Sequence, residues 1–261
     1  MLNISPKISI ITINYNNKTG LDKTIQSVVN QSYSNIEYIV IDGNSTDGSR
    51  DVLALYRDQI SHAVSEPDLG IYNAMNKGIK AASGDYLLFL NSGDNLIDHL
   101  VIEKAVGYGM EEDLVYGDIV YVNGEERTDW VAANVLTFQT FYDHTIPHPG
   151  TFIKKSLFDL VGLYSEEYKI VSDWEFFLLA TCKYNCSYKH INLMIAQFYL
   201  DGISGDPNNY KKLLAERETI LKKHFPYFIE DYEVHKRTKE QLRKVRKYVK
   251  IKSFIKGLFK K

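Results

Sequence analysis

Cysteine is nearly absent, with two residues, Cys182 and Cys186, in 261. That excludes a disulfide framework, and no His or Cys cluster stands nearby to complete a zinc site. Their spacing predicts one shared helix face, where they read as reduced, partly buried thiols. Long hydrophobic runs are also missing. The longest near the C-terminus, residues 191–200, is interrupted by Asn192 and Gln197 and is too short to span a bilayer. Residues 1–10 carry no signal-peptide pattern, which together with the thiols sets a cytoplasmic expectation. Neither G-x-G-x-x-G nor G-x-x-x-x-G-K-[ST] occurs at a strand end, so a dinucleotide fold and a P-loop both lack their fingerprint. There is no internal repeat, and the one biased segment is a basic tail.

What is present is an ordinary globular composition with uneven charge. The net charge is −2. Residues 235–261 hold twelve Lys and Arg against one acid, Glu240, and carry +11. The remainder carries −13. The tail therefore reads as a separate functional piece. Its apolar residues form two stripes. Leu242, Val245, Tyr248 and Val249 make the first, and Ile251, Phe254, Ile255, Leu258 and Phe259 the second, rotated around the helix. A bend near Lys250 or two short segments is expected. The partner this implies is an anionic membrane surface rather than nucleic acid, and a solvated basic tail or a helix packing on the acidic body through its own charge is the equal alternative.

The body alternates between strand and helix. Strands are expected over residues 8–13, 36–41, 62–65 and 86–90. Helices are expected from Thr19 or Asp22 to about Asn30 and over residues 49–57 and 71–82. Short connections make these βαβ units of a mostly parallel sheet flanked by helices, an α/β architecture. Each strand ends in polar side chains: Asn14-Tyr15-Asn16-Asn17, Asp42-Gly43-Asn44-Ser45, Glu66-Pro67-Asp68 and Asn91-Ser92-Gly93-Asp94. In an open α/β sheet ligands sit beyond the carboxyl ends of strands, so four such ends point to a polar ligand, and acidic groups there suit a divalent cation. Farther on, residues 114–122 enter a tight turn at Asn123-Gly124. Thr151–Ile153 reads as a strand, residues 154–161 as a helix closed by Gly162, and Ser172 as the N-cap of another helix. Residues 195–200 make a strand, 201–206 a movable loop and 208–225 an amphipathic helix. Residues 131–142 have no clear period.

Taken as a set, residues 9–17, 24–34, 40–49 and 65–78, followed by Leu90-Asn91-Ser92-Gly93-Asp94, resemble the nucleotide-sugar-binding region of family 2 glycosyltransferases, which have the GT-A fold. The run Ser65-Glu66-Pro67-Asp68-Leu69-Gly70-Ile71-Tyr72-Asn73-Ala74-Met75-Asn76-Lys77-Gly78 resembles the branch that builds bacterial exopolysaccharide, colanic-acid-type enzymes included. The resemblance spans about residues 6–205. It implies a GT-A domain over 1–225, with a nucleotide-sugar half near 6–95 and an acceptor half near 96–225, and a helical tail over 226–261. It also implies a cytoplasmic transferase of the hexosyl or deoxyhexosyl class, peripheral at the inner face of the cell membrane. Such an enzyme would use a UDP- or GDP-type donor, a saccharide or lipid-linked acceptor and Mg²⁺ or Mn²⁺.

Position by position, the resemblance gives Asp42 the ring N–H of the nucleotide base. Asp68 and Asn76 flank the nucleotide, and Asn14, Tyr15, Asn91 and Ser92 complete the donor site. The stretch 91–94 takes the place of the family's D-x-D-D, with Asn91 and Gly93 replacing acids, which leaves Asp94 as the metal ligand. Met75 stands where many relatives carry a basic residue, so neutralisation of the phosphates falls to the metal or to Lys77. Asp173 matches the catalytic base, with Glu175 a poorer candidate because it points elsewhere on the helix. His148 touches acceptor or pyrophosphate, or is a packed loop histidine; His144 is a weaker candidate of the same kind. Tyr72, Trp174 and Tyr199 either stack on sugar rings or belong to the core. A nucleotidyltransferase would need a Gly- and basic-rich loop after the first strand, which is absent. A non-catalytic nucleotide-sugar-binding protein remains the alternative.

Overall fold

The computed structural model describes residues 5–202 and 205–258, with side chains described to residue 252 apart from Lys250. Four strands build the first half: β1 (Ile8–Asn14), β2 (Ile36–Asp42), β3 (His62–Ser65) and β4 (Tyr86–Phe89). β1 is buried along its whole length, and so is β4. That is why both read as continuous β-branched or apolar runs rather than alternating ones. All three pairings in this half are parallel, in the order β3-β2-β1-β4, with Asn14 opposite Asp42 and Asp42 opposite Ser65. The register alone thus stacks three polar strand ends side by side.

Three helices cross over: α1 (Lys18–Val29), α2 (Ser49–Leu55) and α3 (Ile71–Ala81). α1 begins earlier than Thr19 because Asn17 caps it, its side-chain oxygen accepting from Gly20 N at 3.0 Å. α3 lies flush on β1. A Cβ on Gly78 would come within 2.5 Å of Ile11 Cγ2, so the absent side chain sets how closely helix and strand approach.

The second half runs β5 (Asn95–Leu96), α4 (Val101–Gly107), β6 (Leu114–Asn123), β7 (Glu126–Trp130), α5 (Phe138–Asp143), a 3₁₀ turn at His148–Gly150, β8 (Thr151–Lys154), α6 (Leu157–Val161), α7 (Ser172–Cys182) and β9 (Tyr188–Tyr199). The full strand order is β3-β2-β1-β4-β8-β6-β9-β5, with β7 on β6. β8 inserts antiparallel beside β4, and β6 pairs with β9 in parallel, so the sheet is parallel in its first half and mixed in its second. One apolar core, including Ile10, Ile25, Val40, Leu88, Val115, Phe152 and Ile195, runs beneath both halves.

Several local expectations change. Ser172 is the first helical residue rather than the cap; Val171 is the cap, and Ser172 Oγ donates instead to Ser165 O at 2.6 Å. Cys186 lies beyond the end of α7, so the two cysteines do not share a helix; both are free thiols, and burial pushes them up to about 11 and about 12. Ile203 and Ser204 of the 201–206 loop lie outside the described residues.

After β9 come α8 (Tyr210–His224), preceded by a 3₁₀ turn at Pro207–Asn209, and α9 (Pro226–Leu258). The chain divides into compact units Met1–Leu213 and Leu214–Lys261, so the boundary falls inside α8 and before 226. α9 is one uninterrupted helix through Lys250, not two segments. Among the described residues no helix is long and apolar enough to cross a membrane.

Candidate active site

The C-terminal ends of β1, β2 and β3 are laced together by one carboxylate. Asp42 is completely buried. Its Oδ1 accepts from Asn14 Nδ2 at 2.7 Å and Ser45 Oγ at 2.5 Å, and its Oδ2 from Ser45 N at 3.0 Å and Ser65 Oγ at 2.5 Å. Burial by itself would raise this carboxyl, but the donations from Ser45, Ser65 and Asn14 outweigh it and hold the group below its ordinary value. Asn14 is also buried, and its Oδ1 has no hydrogen-bond partner. Tyr15 projects from the same strand end, 68% exposed. Asp68 accepts from Gly70 N at 2.9 Å, and a Cβ on Gly43 would meet both Asp68 and Tyr15. An exposed ring and a half-buried carboxylate therefore share one rim.

Thr24 of α1 shapes the turn after β4, a role that no sequence signal announced. Its buried hydroxyl donates to Asp94 O at 2.7 Å and accepts from Gly93 N at 2.9 Å. Ser92 is pinned through its backbone, N donating to Ile13 O at 3.0 Å and O accepting from Asn17 Nδ2 at 3.1 Å. Asp94 is 6% exposed, and its Oδ1 accepts from Tyr199 N at 3.1 Å. Burial pushes its carboxyl up to about 8, with the Tyr199 N–H opposing and Asp201 adding to the rise. Among the described residues no group of three or more His, Cys, Asp or Glu side chains could hold a metal. Beside Asp94 in sequence, however, Asn91 Oδ1 and Asn95 Oδ1 are both buried without a hydrogen-bond partner. Amide carbonyl oxygens are hard donors, so this set fits a cation that draws on one carboxylate and completes its shell from phosphate and water. Asn95 escaped sequence reasoning because it lies past the motif.

Asp173 stands in the first turn of α7 with 29% of its side chain exposed. Its Oδ1 accepts from Tyr72 Oη at 2.9 Å, and its Oδ2 lies 3.8 Å from His148 Nδ1. His148 Nε2 pairs with Tyr164 Oη at 3.0 Å, and the His148 ring stacks on Phe89 with centroids 4.8 Å apart. Burial pushes His148 down, against the pull of Asp173, which keeps the ring neutral. Tyr72 thus ties Asp173 to α3, while the His148 ring, 3.8 Å from Oδ2 and stacked on Phe89, stands between Asp173 and β4, two residues before Asn91.

Asn76 and Lys77 are committed elsewhere. Asn76 clamps the Tyr164 backbone, Nδ2 donating to its O at 2.9 Å and Oδ1 accepting from its N at 3.0 Å. Lys77 Nζ is held by Glu66 at 2.7 Å and by Pro67 O at 3.0 Å. Trp174 is core, its Nε1 donating to Phe141 O at 2.8 Å. Tyr72 is 5% exposed and reaches Asp173 rather than offering a face to a sugar. Glu175 is 6% exposed.

Compared with known proteins, the chain matches the family model for Glycosyl transferase family 2 over residues 9–166, more than half its length. An uncharacterized glycosyltransferase of Mycobacterium tuberculosis (strain CDC 1551 / Oshkosh) is 34% identical over 204 residues, 76% of this chain and 77% of that one. A PGL/p-HBAD biosynthesis glycosyltransferase of Mycobacterium bovis (strain BCG / Pasteur 1173P2) is 29% identical over 178 residues, 66% and 68% of the two chains. Among solved structures, S. aureus TarS 1–349 in complex with UDP-GlcNAc aligns with a TM-score of 0.62 at 19% identity, over 74% of this chain and 58% of that one. The present chain thus spans less than two thirds of that TarS segment. The mannosyltransferase PcManGT from Pyrobaculum calidifontis, in complex with GDP-Man and Mn²⁺, aligns with a TM-score of 0.62 at 14% identity, over 87% and 65%. The sheet, curled and flanked by helices, is the GT-A fold of these neighbours.

Proposed function

The chain belongs to glycosyl transferase family 2, and we propose that it moves a sugar from a UDP- or GDP-type donor to a hydroxyl of a saccharide or lipid-linked saccharide in bacterial surface polysaccharide synthesis. The observation that carries this reading is Asp173. It is a partly exposed carboxylate in the first turn of α7, bonded to Tyr72 of α3 and 3.8 Å from His148. An acceptor hydroxyl is a weak nucleophile until a carboxylate takes its proton in the transition state. Attack from the side opposite the leaving diphosphate inverts the anomeric carbon.

On this reading Tyr15 and Asp68 line the base and ribose end, and Asp42 and Asn14 shape it from beneath. Asn91, Ser92 and Asp94 face the diphosphate. Asn76 and Lys77 act one step back, Asn76 by holding Tyr164 and Lys77 by holding the 66–67 segment. Asp94, with Asn91 and Asn95 oxygens, would hold Mg²⁺ or Mn²⁺, which supplies charge stabilisation for the departing diphosphate. Known structures of the fold bound to UDP-GlcNAc or to GDP-Man and Mn²⁺ support the donor class.

A thermal-shift screen of UDP and GDP, each with Mn²⁺ and with EDTA, tests the site. A ligand at a hundredfold excess over its Kd stabilises the folded state by about 2.7 kcal/mol. At ~2–4 °C per kcal/mol for a chain of this size, the expected rise is several degrees. No rise with either nucleotide would remove the donor assignment.

The tail extends the same reading to a membrane surface. On α9, Leu242, Val245, Tyr248, Val249 and Ile251 are all about half exposed, among Arg and Lys side chains. Phe254, Ile255, Leu258 and Phe259 lie outside the described side chains. Basic groups near an anionic leaflet contribute about 1 kcal/mol each, and apolar groups insert at the interface. Salt-sensitive binding to phosphatidylglycerol-containing liposomes is expected, and it should vanish on removal of residues 235–261. Indifference of the full chain to such liposomes at low salt would refute membrane docking.

A further inference from the structure

We infer that Tyr72 is the positioning residue for Asp173, holding Oδ1 so that Oδ2 alone receives the acceptor's proton. The inference rests on Asp173 being the general base. Tyr72 lies in the first turn of α3, 5% exposed, with its ring tilted against Tyr164 at 5.8 Å. A buried phenol hydroxyl must find a partner, and this one finds Asp173 Oδ1 at 2.9 Å. α7 has no side-chain cap of its own, since Val171 offers none. The Tyr72 hydroxyl instead donates to a carboxylate in the first turn. Burial first, and the Asp173 charge second, push the phenol well above its ordinary value, so it stays a donor at any working pH.

The other carboxylate oxygen is in a different position. Oδ2 lies 3.8 Å from His148 Nδ1, beyond hydrogen-bonding distance. His148 is neutral and has its other nitrogen on Tyr164 Oη. With Oδ1 engaged and Oδ2 not, the two oxygens differ in basicity, and the carboxyl cannot rotate to exchange them without losing the Tyr72 bond. In the transfer step the acceptor O–H bond breaks and its proton goes to Oδ2. The acceptor oxygen bonds the anomeric carbon, and the anomeric C–O bond breaks with its electron pair leaving on the diphosphate. Tyr72 itself is anchored on both sides. α3 lies flush on β1 at Gly78, and Asn76 clamps Tyr164 beneath the ring.

Tyr72→Phe removes the donor and little volume. Removing a hydrogen bond to the charged form favours the protonated carboxyl, so the carboxyl's response to pH should move to higher pH in the variant. This is read in the full chain by ¹³C NMR of labelled aspartate carboxyls, the Asp173 signal being assigned by its loss in Asp173→Asn. The acid limb of turnover, followed as nucleotide release from UDP-GlcNAc or GDP-mannose in the presence of saccharide acceptor, should move by the same amount. The nucleotide-induced rise in Tm should stay as in the parent. Fluorotyrosine at position 72 keeps the shape, donates more strongly and should move both readings down, which covers a poorly folding Phe variant. An unmoved carboxyl titration in both variants overturns the inference. A moved titration with an unmoved acid limb also overturns it. Substantial turnover in Asp173→Asn is the separate result that defeats the base assignment.

Discussion

Asp173→Asn is expected to lower turnover by about 10²–10⁴ while leaving nucleoside diphosphate affinity unchanged, since general-base assistance is typically worth that much. The same range corresponds to about 2.7–5.5 kcal/mol of transition-state stabilisation. Asparagine keeps the size of the side chain and still accepts from Tyr72 through its amide oxygen, so the fold around α7 should survive. The split between turnover and affinity is the informative part. Asp173 meets α3 and His148 and has no bond to the Asp42 or Asp94 clusters. Parallel loss of turnover and nucleotide binding would mean that the substitution had disturbed the crevice as a whole. Near-parental turnover would move the search to another carboxylate.

Asp94→Asn should abolish the extra stabilisation that Mn²⁺ adds to nucleoside diphosphate, and it should also change how the metal-free protein responds to pH. In the folded chain this carboxyl is pushed up to about 8, chiefly by burial, whereas an unfolded aspartate titrates near 3.9. The folded state therefore holds the proton longer than the unfolded state does. Its contribution to stability is complete below the unfolded value and is lost as pH rises through about 8. The parent without metal should lose Tm from about pH 4 to about pH 8 and level off above that, and the asparagine variant should lose less. With Mn²⁺ and nucleotide the parent should recover at the alkaline end and the variant should not. Identical pH profiles for the two proteins, or equal metal effects, would place Asp94 outside the site. Urea or thermal melts across pH provide the measurement.

The first half was readable because its physics is local. β1, β2 and β4 are short β-branched or apolar runs, and each stops in turn formers. The helices between them keep a 3.6-residue period, so alternation and parallel pairing followed. β5 was missed because two residues give no period; Asn95–Leu96 is a strand only because β9 comes alongside. β9 itself starts earlier than its apolar run. Tyr188, Lys189 and His190 belong to it, and His190 becomes tolerable there once its Nε2 meets Asp118 Oδ1 at 2.8 Å, a partner 72 residues away. The tail differs in one respect. Its two apolar stripes pointed to a bend near Lys250 or two short segments, and α9 is one segment: backbone hydrogen bonds are indifferent to which face is apolar, and no Gly or Pro interrupts residues 227–256. At the proposed site, Asp173 was singled out from motif position alone. The Tyr72 hydroxyl was not, because spacing tells which face of α3 is buried and nothing of what waits across it.

The saturation of Asp42 changes what recognition at this carboxylate can be worth. A carboxylate offers about four acceptor positions, and Asn14, Ser45 twice and Ser65 already fill them. A ring N–H arriving from a nucleotide base would enter by displacement, evicting a hydroxyl such as Ser65 Oγ and forcing it to find a new acceptor. The gain is then the difference between two hydrogen bonds rather than the whole of one. On the proposed reading, choice among bases would be a competition with the protein's own serines. Trimming those serines, and leaving Asp42 alone, is the route by which such a site would change its nucleotide preference.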